Sequence, residues 1–249
     1  IATFNILSGR SLDDGQVHEA RFREAVRRLD ADLLGLQEVD RNQPRSQHAD
    51  LTAIAAEEMG APYHLFVAAL AGTPGATWAA ATGQEQPDSA AYGVALLSRY
   101  PVRGWRTVRL PAAPVPVPHR FHGRVLPDWV RDEPRVAVVA TVDTPRGRLD
   151  VVTTHLSFLV PWNRLQLRRL LRELGPGQGP MVLTGDLNMG PRPARRVTGL
   201  GSLATGATFP ADSPKKQIDH ILATPGLVPA RGAAKELPMS DHRALYADL

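Results

Sequence analysis

Polar residues that could bind a metal ion or transfer a proton interrupt or follow short buried runs at six places in the sequence. They are Asn5, Gln37 with Glu38, His155, Asp186 with Asn188, Asp219 with His220, and Asp241 with His242. Taken singly, each has an ordinary structural explanation, because a carboxylate can cap a turn and a lone histidine can simply hold a hydrogen bond. Gathered at the strand ends of one core, they would be costly to bury without partners. A metal ion and a phosphate would supply those partners.

The available donors favour a hard divalent cation. Magnesium prefers oxygen ligands, and it binds through one or two carboxylates while it keeps several waters. The chain has no cysteine, which excludes a thiolate nucleophile, a cysteine-ligated metal and a disulfide framework. Glu38 and Asp241 are therefore the predicted ligands of Mg²⁺, for which Mn²⁺ or Ca²⁺ could substitute. A zinc or non-haem iron hydrolase is the alternative that metal analysis would separate.

Two of these residues could form a catalytic base. A histidine beside a carboxylate can accept a proton near neutral pH, since the carboxylate fixes its tautomer and stabilises its charged form. Asp219 and His242 would be such a pair if their strands are neighbours.

The elements that must position these residues are mainly strands. Short β-branched or apolar runs predict buried strands at Ile1–Leu7, Leu33–Val39, His64–Ala69, Tyr92–Leu97, Val136–Val142, Leu149–Thr154, Met181–Thr184, Ile218–Ala223 and Ala244–Ala247. Apolar residues at helical spacing predict helices over His18–Leu29 and Pro161–Leu174, and a third helix is expected at about Asp50–Met59. This pattern predicts sheets covered by helices, in a single domain over residues 1–249.

The segment Pro111–Pro134 is predicted to be irregular, because its six prolines block regular strand pairing. It also carries five basic residues, which are His119, Arg120, His122, Arg124 and Arg131. A solvated surface loop is one interpretation, and a loop that contacts the phosphate or headgroup of a substrate is the other.

The composition excludes some classes of protein and leaves others open. Hydrophobic residues make up 43% of the 249 residues, and the net charge is +4 with three lysines and 26 arginines. This mild basic excess permits a phosphate-rich partner without requiring one. No run of the sequence is long and apolar enough to span a bilayer. We expect a cytoplasmic monomer, with a secreted protein whose signal has been removed as the alternative, because the chain begins at Ile1 without a methionine.

Seven short segments, taken in order, resemble the endonuclease/exonuclease/phosphatase superfamily of deoxyribonuclease-like and sphingomyelinase-like metal-dependent phosphoesterases. They are Thr3-Phe4-Asn5, Gln37-Glu38, the run from Gly93 to Arg99, Thr154-His155-Leu156, the run from Gly185 to Asn188, Ile218-Asp219-His220 and Ser240-Asp241-His242. The resemblance implies an α/β (α+β) four-layer sandwich, in which two mixed β-sheets pack face to face with helices on the outside.

The resemblance also implies roles for the residues. Glu38 would hold the metal, aided by Asn5 and Asp241 directly or through water. His242, oriented by Asp219, would activate the attacking water, or Asp186 would be the base instead. Asn188 would position the nucleophile or the phosphate, and His155 would donate a hydrogen bond to the phosphate as charge develops.

The substrate stays open at this stage. Hydrolysis of a phosphodiester is expected, with a phosphomonoester, a lipid phosphodiester or a catalytically silent scaffold as alternatives. Nucleic acid, a phospholipid, an inositol phosphate and a nucleotide are all compatible with the motifs. Arg41 could reach the substrate or lie in a solvated turn, and no extended basic and aromatic segment marks a nucleic-acid cleft.

Overall fold

The computed structural model describes residues 1–119, 126–177 and 179–249. Their strands are β1 (Ala2–Asn5), β2 (Leu33–Arg41), β3 (Tyr63–Ala71), β4 (Ala79–Ala80), β5 (Ala91–Ser98), β6 (Val102–Leu110), β7 (Val117–His119), β8 (Asp128–Val130), β9 (Arg135–Thr144), β10 (Gly147–His155), β11 (Met181–Asp186), β12 (Gly201–Ser202), β13 (Asp219–Ala223), β14 (Arg231–Lys235) and β15 (Ala244–Asp248). Their α-helices are α1 (Glu19–Leu29), α2 (Leu51–Met59), α3 (Trp162–Leu174) and α4 (Pro191–Thr198). Short 3-10 helices lie at Leu7–Gly9 and Pro44–Ser46.

Most of the strands belong to two sheets. In the described residues the first sheet has the order β14-β15-β1-β2-β5-β3-β4 and the second has the order β12-β13-β11-β10-β9-β6. Strands β1 and β2 are parallel, as are β10 and β11, whereas their other neighbours run antiparallel. The prediction of two mixed sheets is therefore confirmed.

The sheets pack face to face and each is covered by helices on its outer side. The core between them is built from β-branched and aliphatic residues such as Val94 of β5 and Val138 of β9. On one outer face Phe22 of α1 packs with Phe4 of β1. On the other outer face, Leu167 of α3 lies in one apolar cluster with Val152 of β10 and Leu183 of β11. The four layers expected from the sequence are present.

The strand directions bring the polar residues to one edge of the sandwich. The two parallel pairs end side by side, with Asn5 opposite Gln37 and His155 opposite Asp186. Strand β13 runs antiparallel to β11, so its first residue, Asp219, lies opposite Asp186. The same geometry applies to β15, which is antiparallel to β1 and begins just after His242.

Some elements were missed or wrongly predicted. Strand β6 is a sheet edge whose arginines dilute the apolar pattern, and α4 is short with two prolines in its first turn. The prediction that Pro111–Pro134 lacks regular pairing was wrong in part, because β7 and β8 form a two-stranded sheet that includes Pro118. Proline is tolerated in such a strand because each strand has only one partner. Arg120, His122 and Arg124 lie outside the described residues.

None of the described helices combines the length and the apolar character that crossing a membrane would require.

The two sheets approach closely at Gly35 of β2. A Cβ atom at this position would lie 2.5 Å from Oγ1 of Thr153 and 2.8 Å from Oγ1 of Thr184, both on the opposite sheet. We expect Gly35→Ala to lower the free energy of unfolding by about 1–3 kcal/mol, because the added methyl group overpacks the core. Urea denaturation would measure the change. Gly104→Ala in β6, where nothing lies within 4 Å of the added Cβ, is the matched control and should not destabilise the protein.

Candidate active site

A cavity of about 720 Å³ opens at the edge where the strands end. Five of the candidate site residues line it: Glu38, His155, Asp186, Asn188 and His242. His119, from the basic segment Pro111–Pro134, also lines the cavity. Asn5 and Asp219 lie behind its wall and are fully buried. The structure therefore brings together residues from β1, β2, β10, β11, β13 and the segment before β15.

Asp186, the last residue of β11, is the central carboxylate of the site. It is 1% exposed, and its Oδ1 accepts a hydrogen bond from the backbone N–H of Asn188 at 2.9 Å. Its Oδ2 accepts from Nδ2 of Asn5 at 3.1 Å and lies 3.6 Å from Nε2 of His155 and 3.8 Å from Nε2 of His242. Burial, together with the charge of Asp219, raises the pKa of Asp186 to about 7, although His242 opposes that shift.

Gly185 allows the ends of β10 and β11 to lie close together. Gly185 has a φ of 136°, and a Cβ atom there would lie 1.9 Å from the carbonyl oxygen of Thr154. Only glycine avoids that clash and adopts this conformation without strain. Strands β10 and β11 can therefore end together, with His155 beside Asp186.

Glu38 reaches the cavity because β2 contains a bulge. The register between β2 and β5 shifts between Leu36 and Val39, and Glu38 has a φ of 55°. Bulges re-aim a side chain, and a positive φ in a residue other than glycine is strained and persists only where the surroundings enforce it. Nδ2 of Asn5 donates to Oε1 of Glu38 at 3.0 Å, so this one amide links the carboxylates of Glu38 and Asp186. Burial raises the pKa of Glu38.

His242 and Asp219 form the pair expected from the sequence. Nδ1 of His242 lies 2.9 Å from Oδ2 of Asp219, and the two side chains are almost completely buried. The backbone of the pair is fixed by Ser240, whose hydroxyl donates to the carbonyl of Asn5 at 2.6 Å and accepts from the N–H of His242. His242 therefore presents Nε2 towards Asp186.

The charges around His242 dominate its protonation. Burial alone would lower the pKa of His242, but Asp219, by its charge and hydrogen bond, and Asp186 raise it to about 10. In the metal-free protein the ring of His242 is therefore positively charged at neutral pH, with a proton on both nitrogens.

His155 has the opposite electrostatic environment. Burial, the charge of Arg135 and the charge of His242 lower the pKa of His155 well below its usual value, so the ring is neutral. Nη1 of Arg135 lies 3.3 Å from Nδ1 of His155. Because a guanidinium can only donate, the contact with Arg135 requires Nδ1 to accept and places the ring proton on Nε2, which faces Asp186. Nδ2 of Asn188 lies 3.2 Å from the same Nε2, and with this tautomer these two nitrogens do not share a hydrogen bond.

Asn188 is held in the cavity wall by its own backbone and side chain. It has a φ of 50°, and its Nδ2 donates to the carbonyl of Leu156 at 3.0 Å. Asn163 of α3 donates to the carbonyl of Asn188 at 2.9 Å. Asn188 lines the cavity, and no described residue donates a hydrogen bond to its side-chain oxygen.

The donors fit a hard divalent cation. Oε1 of Glu38 and Oδ2 of Asp186 both accept a hydrogen bond from the side-chain amide of Asn5. Burial raises the pKa of both carboxyl groups. A cation bound beside them would stabilise their charged forms. Asp241 is half-buried, and its charge raises the pKa values of both Glu38 and His242. Donor atoms of Asp186, Asp219 and His242 also lie within 4.8 Å of one another, but the hydrogen bond between Asp219 and His242 engages that pair.

Several residues of the cavity were missed in the sequence. Arg135, Glu133, Tyr92, Phe209 and Lys216 all line it. Most of the predicted site residues follow an apolar run in the sequence. Arg135 instead precedes one, because it is the first residue of β9, which runs antiparallel to β10. Its position directly before the apolar run Val136–Val142 is the signal in the sequence that indicates Arg135.

Two residues considered in the sequence, Arg41 and His220, do not line the active-site cavity. Arg41 lines a second cavity, where its guanidinium lies 5.0 Å from the centre of the Phe66 ring, and it does not line the cavity that contains Glu38. Its contact with a substrate stays a prediction. His220 is buried, and its Nε2 donates to the carbonyl of Met189 at 2.8 Å, which is a structural role.

Comparison with known proteins agrees with this architecture. Residues 2–242 match the family model described as the endonuclease/exonuclease/phosphatase family. Among curated proteins, none matches the chain.

Solved structures of similar fold come from several bacteria. An endonuclease/exonuclease/phosphatase from Beutenbergia cavernae is 25% identical, with a TM-score of 0.68 over 99% of this chain and 69% of that one. A mannosyl-6-phosphatase from Bacteroides thetaiotaomicron is 17% identical, with a TM-score of 0.66 over 99% of this chain and 97% of that one. A mutant beta toxin from Staphylococcus aureus with bound magnesium ions is 12% identical, with a TM-score of 0.64 over 99% of this chain and 98% of that one. At the two lower identities, the likeness concerns the fold alone.

The pairing of His242 with Asp219 gives a prediction for the metal-free protein. We expect Asp219→Asn to lower the pKa of His242 by about 1–3 pH units, because an opposite charge next to the imidazolium is removed. Titration of the histidine resonances by NMR in the presence of a chelator would measure this shift. The exposed His64 is an internal control whose titration should not move, and an unchanged pKa for His242 would contradict the assigned pairing.

Proposed function

This chain belongs to the endonuclease/exonuclease/phosphatase family, and on that premise we propose that it hydrolyses a phosphate ester, a phosphodiester in the first instance, with the help of Mg²⁺. The observation that carries the proposal is the convergence of Glu38, Asp186, Asn188, His155 and the Asp219–His242 pair on one cavity. No observation favours a catalytically silent scaffold, because each residue that the motifs require is present.

The proposed nucleophile is a water molecule between His242 and the phosphorus. A bound divalent cation would offset the surrounding carboxylates and lower the pKa of His242. The uncharged ring can then take a proton from this water at Nε2, while Asp219 holds Nδ1 and stabilises the imidazolium that forms. The water oxygen forms a bond to phosphorus, the ester P–O bond breaks, and the departing oxygen is protonated by solvent or a site acid. Asp186 is the alternative base, since its pKa of about 7 and its position 3.8 Å from Nε2 of His242 suit proton transfer.

His155 and Asn188 would bind the phosphate. The neutral His155 directs its Nε2–H into the site, which suits a hydrogen bond to a phosphoryl oxygen that gains charge in the transition state. Arg135 fixes that tautomer through Nδ1 and is therefore a positioning residue in this proposal. Asn188 lies against the same ring and would orient the phosphate or the water.

Glu38 is the proposed principal metal ligand, with Asn5 and Asp241 acting directly or through water. A bound divalent cation would supply polarisation of the phosphoryl oxygen and compensation of charge on the leaving group. The bulge in β2 presents the Glu38 carboxylate to the cavity, and Asn5 fixes its orientation.

The proposal is tested by metal-dependent hydrolysis. Purified protein stripped with EDTA should not cleave bis-p-nitrophenyl phosphate, and Mg²⁺ or Mn²⁺ should restore cleavage, because the oxygen donors suit a hard cation. Release of p-nitrophenol measures the rate, and p-nitrophenyl phosphate in parallel compares monoester with diester. Failure to cleave either ester, DNA or a lipid phosphodiester with any of these ions would contradict the proposal, and restoration by Zn²⁺ alone would contradict the metal.

The roles of Glu38 and His242 can be separated by substitution. We expect His242→Ala to lower kcat by about 10²- to 10⁴-fold with little change in Mg²⁺ affinity, because the base is lost. Glu38→Ala should instead weaken Mg²⁺ binding, measured by calorimetry. The matched controls are His18→Ala and Glu24→Ala, whose side chains are 50% and 45% exposed. Near-normal turnover by His242→Ala would move the base assignment to Asp186.

A further inference from the structure

A cavity of about 750 Å³, distinct from the one that Arg41 lines, lies between α3 and α4 and adjoins the active-site cavity. Five arginines line this groove, which we call the arginine groove: Arg164, Arg168, Arg192, Arg195 and Arg196. Arg164 and Pro193 line both the arginine groove and the active-site cavity, so the two spaces share a wall.

The positive charge of the groove is not neutralised by the described part of the chain. None of the five arginines forms an ion pair with a described carboxylate, whereas Arg23, Arg99 and Arg231 elsewhere on the surface all do. Nε of Arg164 is buried and has no hydrogen-bond partner among the described residues. Within residues 162–200 there are seven arginines and two acidic residues, of which Asp186 belongs to the catalytic site.

The spacing of these arginines suits a chain of phosphates. Arg164 and Arg168 are four residues apart on α3, and Arg192 and Arg196 are four apart on α4. Four residues advance an α-helix by about 6 Å, which is comparable with the separation of successive phosphates along an extended nucleic-acid strand. Each wall of the groove thus offers guanidinium groups at intervals that a single strand could follow.

The active-site cavity offers a surface on which a base could stack. The ring of Phe209 lies 4.9 Å from the ring of His242 and is half-buried on the cavity wall. Lys216 lines the same cavity and is exposed. A positively charged groove combined with an aromatic ring is the arrangement that binds single-stranded nucleic acid without sequence preference.

We propose that the arginine groove binds the backbone of a nucleic-acid strand whose scissile phosphodiester lies in the active-site cavity. This inference rests on the proposed function and names its substrate class. The concave shape favours a strand over a membrane, because the arginines line the walls of a channel between two helices and a planar bilayer would reach only its rim. A small phosphate ester would fill the active-site cavity and leave four of the five arginines, all except Arg164, without a ligand.

The test compares binding of a strand with cleavage of a small ester. The double variant Arg168→Ala/Arg195→Ala removes one exposed arginine from each helix. Its control is Arg172→Ala, which removes an exposed arginine of α3 that does not line the groove. Fluorescence anisotropy with a labelled single-stranded oligonucleotide in EDTA measures binding without turnover. Hydrolysis of bis-p-nitrophenyl phosphate with Mg²⁺ measures the chemistry alone.

We expect the double variant to bind the oligonucleotide about tenfold more weakly or worse, and its dependence of log Kd on log salt to be shallower by about 1.4, because two phosphate contacts are lost. Its hydrolysis of the small diester should match that of the natural protein, and Arg172→Ala should match it in both assays. An unchanged Kd and salt dependence in the double variant would overturn the inference.

Two further outcomes distinguish a lipid-binding groove from a nucleic-acid groove, and failure of the proposed function from failure of this inference. If the double variant loses binding to phosphatidylcholine vesicles containing phosphatidylserine but keeps its affinity for the oligonucleotide, the groove is a lipid-binding surface and the nucleic-acid inference fails. If no ester is cleaved by any form, the proposed function fails, and the anisotropy measurement in EDTA still reports separately on the groove.

Discussion

A carboxylate removed from water must be compensated by its neighbours or lose its charge. Asp186 is in that position, and much of the site can be understood as its compensation. Asn5 and the backbone of Asn188 donate to it, and His155 and His242 face it. Because these groups come from separate strands, the charge is stabilised only when both sheets are assembled. Formation of the site and formation of the sandwich are thus linked through one side chain.

The sequence predicted the two sheets, three of the four described α-helices and five of the polar residues that line the cavity. This succeeded because polar residues that end buried runs, such as His155 and Asp186, are conspicuous in an apolar pattern. Arg135 was missed because it opens its strand, and β6 was missed because arginines alternate with its apolar residues. The arginine groove could not be found by scanning, since its two walls come from helices separated by β11. Proximity of that kind depends on packing, which local periodicity does not encode.

The modest net charge of +4 conceals a strong separation of charge. Carboxylates concentrate at the candidate active site, where Glu38, Asp186, Asp219 and Asp241 influence one another and His242. Arginines concentrate next to it, on α3 and α4. An anionic ligand would be repelled by the first group until a cation is bound and attracted by the second throughout. If the proposed cation binds to these carboxylates, the arrangement would favour binding of the cation before the anion.

The bulge at Glu38 limits how this protein can change over evolutionary time. Side chains alternate between the two faces of a strand, so adding or removing one residue in β2 would turn every later side chain to the other face. Glu38 would then point into the sandwich or away from the cavity, and the adjacent Gln37 or Val39 would take its position. Insertions and deletions are therefore tolerable in the connecting loops and intolerable in this strand. We therefore expect the length of β2 to matter more for the position of Glu38 than the identity of most of its other residues.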